Sequence, residues 1–137
     1  MKYSLIFTLF LMLNRCYSQS DSMAAYYHKA HDFNYILLLS CNIGYSYSGS
    51  HLFTDEVFFY ELIGDKIIRT FDTDHSLRFR VDTLIVDKKS LRDADGLLLK
   101  KVSSKKRDRL IGKYILPSLE AGFYGVFIEK LKSCKND

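Results

Sequence analysis

The residues of this chain best suited to chemistry are its histidines and the acids beside them. His28 and His31 stand three apart with Asp32 following, and Asp72, Asp74 and His75 fall close together further along. Residues three apart on a helix are neighbours on one face, so the HKAHD stretch would present two imidazoles side by side. Imidazole and carboxylate groups ligate zinc and related ions, and three of them around an open water position can hydrolyse a bond. A metal site of His28, His31, Asp74 and His75, in a small metal-dependent hydrolase, is therefore one reading. The spacing argues against it, because zinc-hydrolase helices place their histidines four apart around a glutamate. A solvated helical histidine pair accounts for the same residues.

Other chemistry is fainter. There is no G-x-S-x-G elbow, and Ser48-Gly49-Ser50-His51 reads as a flexible loop before it reads as a Ser/His pair. Asp93-Ala94-Asp95-Gly96 begins like a calcium loop but lacks the later carboxylates and the closing glutamate, so a solvated turn is expected. No cofactor is expected, and no residue is assigned a catalytic role.

The first residues bear on compartment. Lys2 precedes an uncharged apolar run from Tyr3 to Leu13. That run is shorter than the roughly 20 residues a spanning helix needs and suits the core of a signal peptide. The stretch 1–18 resembles a bacterial-type secretory signal, cleaved after Ser18, with the single domain spanning 19–137. A secreted or periplasmic location follows. A lipid anchor on Cys16 fits less well, because Asn14-Arg15 replaces the small residues that acylation requires.

Removing Lys2 and Arg15 takes the 20 basic residues to 18 against 16 acidic, so the net charge of +4 falls to +2. Nucleic-acid binding is not expected at that charge. Cys16 leaves with the signal, and the remaining pair, Cys41 and Cys134, would meet in a compartment where disulfides persist. By chain entropy, a bridge closing so long a loop contributes about 4 to 5 kcal/mol. A buried Cys41 with a free Cys134 is the alternative.

Two groups of residues could form contact surfaces. Lys105, Lys106, Arg107 and Arg109 belong to a run of bases from Lys100 to Lys113 that could meet an anionic envelope surface, a glycan or an acidic protein. The same run also suits a solvated helix face. Tyr45 and Tyr47, in the loop-like Gly/Ser-rich stretch 42–51 that could extend as strand through these two alternating residues, pair apolar area with a hydroxyl, as recognition surfaces do. The function these features favour is an exported, non-catalytic binding or interaction module. A structural subunit of an envelope assembly is a third possibility, marked by an exposed apolar sheet face.

The elements that must position these residues follow from pattern. The chain has 137 residues, 47% of them hydrophobic, enough for one domain with a real core. Val57 to Ile63 and Ile67 to Phe71 are rich in β-branched and aromatic types, and Gly64-Asp65 between them suits a type II′ hairpin turn. That turn sets Ile63 opposite Lys66, Leu62 opposite Ile67 and Glu61 opposite Ile68. In the next run Leu77, Phe79 and Val81 alternate toward the core, with Arg78, Arg80 and Asp82 toward water. A shift of phase at Thr83-Leu84-Ile85-Val86 predicts a bulge or strand end there.

Met23, Tyr26, Tyr27, Ala30 and Phe33 recur at helical spacing, predicting an N-terminal helix over 20–33. Tyr35 to Leu39 reads as a strand covered on both faces. Ser103 or Ser104 caps a basic helix ended by Pro117, and Phe123 to Leu131 reads as a last strand. The fold expected is α+β: a mainly antiparallel sheet of four or five strands, with the N-terminal helix and the late basic helix packed on one face.

Overall fold

A computed structural model describes residues 23–30, 33–49, 55–72, 79–118 and 121–135. The proposed signal at 1–18 lies outside them. Eight strands run β1 (Ala24–Lys29), β2 (Asn34–Ser40), β3 (Ile43–Ser48), β4 (Glu56–Ile63), β5 (Lys66–Asp72), β6 (Phe79–Asp87), β7 (Ser90–Arg92) and β8 (Leu98–Val102). Each pairs antiparallel with the next, and β8 returns to β1, where Tyr26 meets Lys101. Closure leaves no sheet edge. The four- or five-stranded open sheet is therefore corrected to a closed barrel of eight strands.

Two other expectations are corrected by which surfaces the chain had to cover. Residues expected in an N-terminal helix form β1, with Tyr26 against the barrel interior and Ala25 and Tyr27 against the exterior core. Both faces of β1 meet apolar neighbours, so no polar alternation marks it as a strand. The converse holds at the C-terminus, where Phe123 to Leu131 lies within a helix, α2 (Ala121–Lys135). Tyr124, Phe127, Ile128, Leu131 and Cys134 form one stripe at helical spacing against the barrel, while Val126 is exposed.

The hairpin at Gly64 has the expected register, from Ile63 on Lys66 to Glu61 on Ile68. Gly64 takes φ 62°, a left-handed conformation that costs glycine little. The β2–β3 turn is also two residues long, and Cys41 (φ 53°) and Asn42 (φ 62°) are both left-handed, as a type I′ turn requires. With Lys88-Lys89 between β6 and β7, these tight turns define one end of the barrel. The strand ends Lys29, Asn34, Ser48, Glu56, Asp72, Phe79, Arg92 and Leu98 lie at the other, the loop end.

The late basic helix is present as α1 (Ser104–Leu110), continued by a π-helical turn over Ile111–Ile115 and ending before Pro117. Ser103 Oγ accepts a hydrogen bond from the Lys106 amide at 3.2 Å, the expected cap. Two cores result. Leu37, Leu39, Phe58, Ile67, Phe71, Leu84, Leu91 and Leu99 fill the barrel. Outside it, Ile36, Leu38, Ile43 and Tyr45 pack on Leu110, Ile111, Ile115, Phe127 and Leu131 from the helical segment. Burying each such aliphatic side chain contributes about 1.5 to 3 kcal/mol. The interior is tightly filled at Gly44, where the Phe58 ring occupies the place a Cβ would take.

Candidate functional site

Antiparallel pairing carries polar side chains around the interior toward the loop end. Tyr35 lies opposite Ser48, and Leu37 opposite Ser46. Ser46 lies opposite Glu56, Tyr60 opposite Arg69, and Arg69 opposite Asp82. Directly opposite residues point to the same side of a sheet, so this set shares the interior with Phe58 and Phe71. The apolar floor beneath it is formed by Leu39, Ile67, Leu84 and Leu91.

This gradient explains the phase shift seen in β6. The strand has an unbroken ladder from Phe79 to Ile85 against β5, with no bulge. Asp82, Leu84 and Val86 share its inward face, and Val81, Thr83 and Ile85 are exposed on the other. Assignment of Val81 to the core and Asp82 to water is therefore reversed. What alters along β6 is the polarity of the lumen, not the direction of the side chains.

Arg69 is the centre of the arrangement. Its Nε donates to Asp82 Oδ1 at 2.6 Å and its Nη2 to Asp82 Oδ2 at 2.7 Å, a bidentate pair. Nη1 donates to the Tyr35 hydroxyl at 3.3 Å. The guanidinium carbon lies 5.3 Å from the centre of the Phe58 ring and 5.2 Å from that of Phe71, within cation–π range. Burial by itself would lower the Arg69 pKa, but Tyr35 and Asp82 outweigh it and hold the group above its ordinary value. The guanidinium is 9% exposed and the Asp82 side chain 37%, so the acid is the partner that solvent reaches.

Ser48 adds a group of a different kind. Its backbone N–H donates to Asp55 Oδ1 at 3.4 Å, and the other Asp55 oxygen accepts from the Tyr45 hydroxyl. The Ser48 hydroxyl is buried and has no hydrogen-bond partner among the described residues. It lies beside Tyr35 across the ladder, on the inward face. A buried hydroxyl without a partner costs about 1 to 3 kcal/mol, so its presence calls for an explanation.

Among the described residues singled out by sequence, His28, Tyr45 and the basic set lie on separate elements. His28, in β1, donates from Nδ1 to the Leu98 carbonyl at 3.0 Å, and its ring lies 6.2 Å from that of Phe33. His31, Asp74 and His75 lie outside the described residues, as do Asp32 and His51. Among the described residues, no three His, Cys, Asp or Glu side chains are grouped to hold a metal ion. Tyr45 is fully buried in β3, 5.8 Å from the Phe127 ring, and Tyr47 is half-buried beside Tyr114. Neither belongs to an open Gly/Ser loop.

Within the basic set, Lys105, Lys106 and Arg109 are exposed, but Arg107 is 2% exposed and donates to the Met23 carbonyl at 2.8 Å. Its role is to fasten α1 to the start of β1. Asp93 accepts at Oδ1 from the amides of Asp95 and Leu97, organising the β7–β8 turn as a solvated turn. Cys41 and Cys134 are joined in a disulfide that ties α2 to the β2–β3 turn.

Sequence reasoning missed Arg69, Asp82, Tyr35 and Ser48. The one signal was Arg69 itself, a lone charge inside the apolar run Ile67 to Phe71. No family model, curated protein or solved structure matches the chain.

Proposed function

We propose that the protein is an exported, non-catalytic binding module that takes one small amphiphile into the loop end of its barrel. An eight-stranded barrel encloses a space just wide enough to be filled by side chains or to hold one small ligand. Here the lower part is filled by Leu39, Ile67, Leu84 and Leu91, while the polar groups and the rings of Phe58 and Phe71 lie toward the loops. The observation that carries the reading is the Ser48 hydroxyl, buried on the inward face without a partner among the described residues. A ligand hydroxyl or carbonyl would satisfy it, with the apolar body of the ligand against the Phe58 and Phe71 rings.

The head group should be neutral. Arg69 is already neutralised by Asp82, so a carboxylate gains no free charge from it. Calorimetric titration with decan-1-ol and with decanoate tests this. The alcohol is expected to bind saturably at one site and more tightly than the acid. Ser48→Ala is expected to weaken it about 3- to 10-fold, the value of one hydrogen bond, without loss of folding stability. No saturable uptake of either compound would contradict the proposal.

A further inference from the structure

Three strands carry an exterior face that the helical segment meets only at one corner, where Lys130 of α2 lies 5.0 Å from the centre of the Phe59 ring, and its side chains form a grid of three rows. Phe59, Thr70 and Val81 are paired across β4, β5 and β6 in the first row; Glu61, Ile68 and Thr83 in the second; and Ile63, Lys66 and Ile85 in the third. The four corners, Phe59, Val81, Ile63 and Ile85, are apolar and between 45% and 58% exposed. Together they display on the order of 400 Å² of apolar surface, within the range of the largest patch on a monomer.

We propose that this face is the interface of a homodimer. A two-fold axis laid along the grid diagonal from Ile63 to Val81 crosses the two sheets at about 90°, one of the two common sheet-packing angles. It brings Ile68 onto Ile68 of the partner subunit and Phe59 onto Ile85 of the partner subunit. It also sets Glu61 over Lys66 of the partner subunit, and by symmetry does so twice. Glu61 and Lys66 are exposed and have no ion-pair partner within the chain among the described residues. The face is therefore complementary to itself in charge as well as in apolar area. Two copies would bury about 800 Å² of apolar surface besides the polar area of Glu61, Lys66, Thr70 and Thr83, which places the contact at the small, reversible end of specific interfaces.

Sedimentation velocity over roughly 1 to 200 µM, a range chosen for a micromolar dimer, provides the test with charge reversals at exposed positions that leave the core untouched. The native protein should shift from monomer to dimer with concentration. Glu61→Lys should weaken the dimer by at least about tenfold, because it sets lysine against lysine at both symmetric contacts. Adding Lys66→Glu to that variant should restore association. A monomer at every concentration overturns the proposal. So does a dimer that ignores the single reversal, or a double variant that stays as weak as the single one. Vesicle binding by monomers, abolished when the corners are made polar, would assign the face to a lipid surface and likewise overturn it.

Discussion

Arg69 and Asp82 face each other across the β5–β6 ladder inside the barrel, joined by hydrogen bonds of 2.6 and 2.7 Å. The pair fixes the register of two strands from within and keeps a cation in the lumen beside the rings of Phe58 and Phe71. Its asymmetry matters, since the acid is partly solvated and the base is not.

Removing one member should therefore be worse than removing both. Asp82→Asn leaves the buried guanidinium without its counter-charge and should cost about 3 kcal/mol, the low end for a broken buried pair because Asp82 is partly exposed. The double variant Arg69→Met, Asp82→Leu should recover at least about half of that loss. Urea unfolding of the two proteins measures both. Equal losses would show that the pair contributes through packing alone.

The disulfide closes a loop spanning 93 positions between the β2–β3 turn and α2. Replacing Cys41 and Cys134 with serine should cost about 2 to 5 kcal/mol, mainly by freeing the unfolded chain. Because Phe127 and Leu131 remain in the exterior core, α2 should stay docked while its amides exchange faster than those of β2. Urea midpoints and amide exchange of the oxidised protein and the serine variant report the two effects. Unchanged stability would mean that the helix is held by packing alone.

Alkaline pH should unfold the protein through its tyrosines. Burial raises the phenol pKa of Tyr26, Tyr60 and Tyr124. The folded state thus holds those protons more tightly than the unfolded chain, whose tyrosines titrate near pH 10. Stability from this source is complete below about pH 10 and falls as pH rises through the higher folded values. Urea midpoints between about pH 8 and 11.5 should be flat and then decline as absorbance reports tyrosinate. A decline beginning well below pH 10 would point to other groups.

Much of the chain could be read without coordinates where local chemistry decided the outcome. Gly64-Asp65 between two β-rich runs gave both the hairpin and its register, because a two-residue turn leaves only one pairing. Ser103 likewise marked the start of α1. The errors fall where a strand or helix is defined by what covers it. β1 touches apolar groups on both faces, so its tyrosines mimic a helical stripe. The α2 stripe competed with a β-like composition and two exposed glycines, Gly122 and Gly125. The Arg69 cluster was out of reach for another reason. Arg69, Asp82, Tyr35 and Ser48 come from four strands, and only barrel closure and the β5–β6 register place them together.

The proposal that the barrel's loop end holds a neutral amphiphile is tested most directly by mapping amide NMR shifts during titration with decan-1-ol. Saturable shifts are expected, concentrated at Tyr35, Ser46, Ser48, Glu56 and Arg69, with their attenuation in Ser48→Ala. Shifts confined to the exterior face of β4–β6, or none at any alcohol concentration short of its solubility, would contradict it.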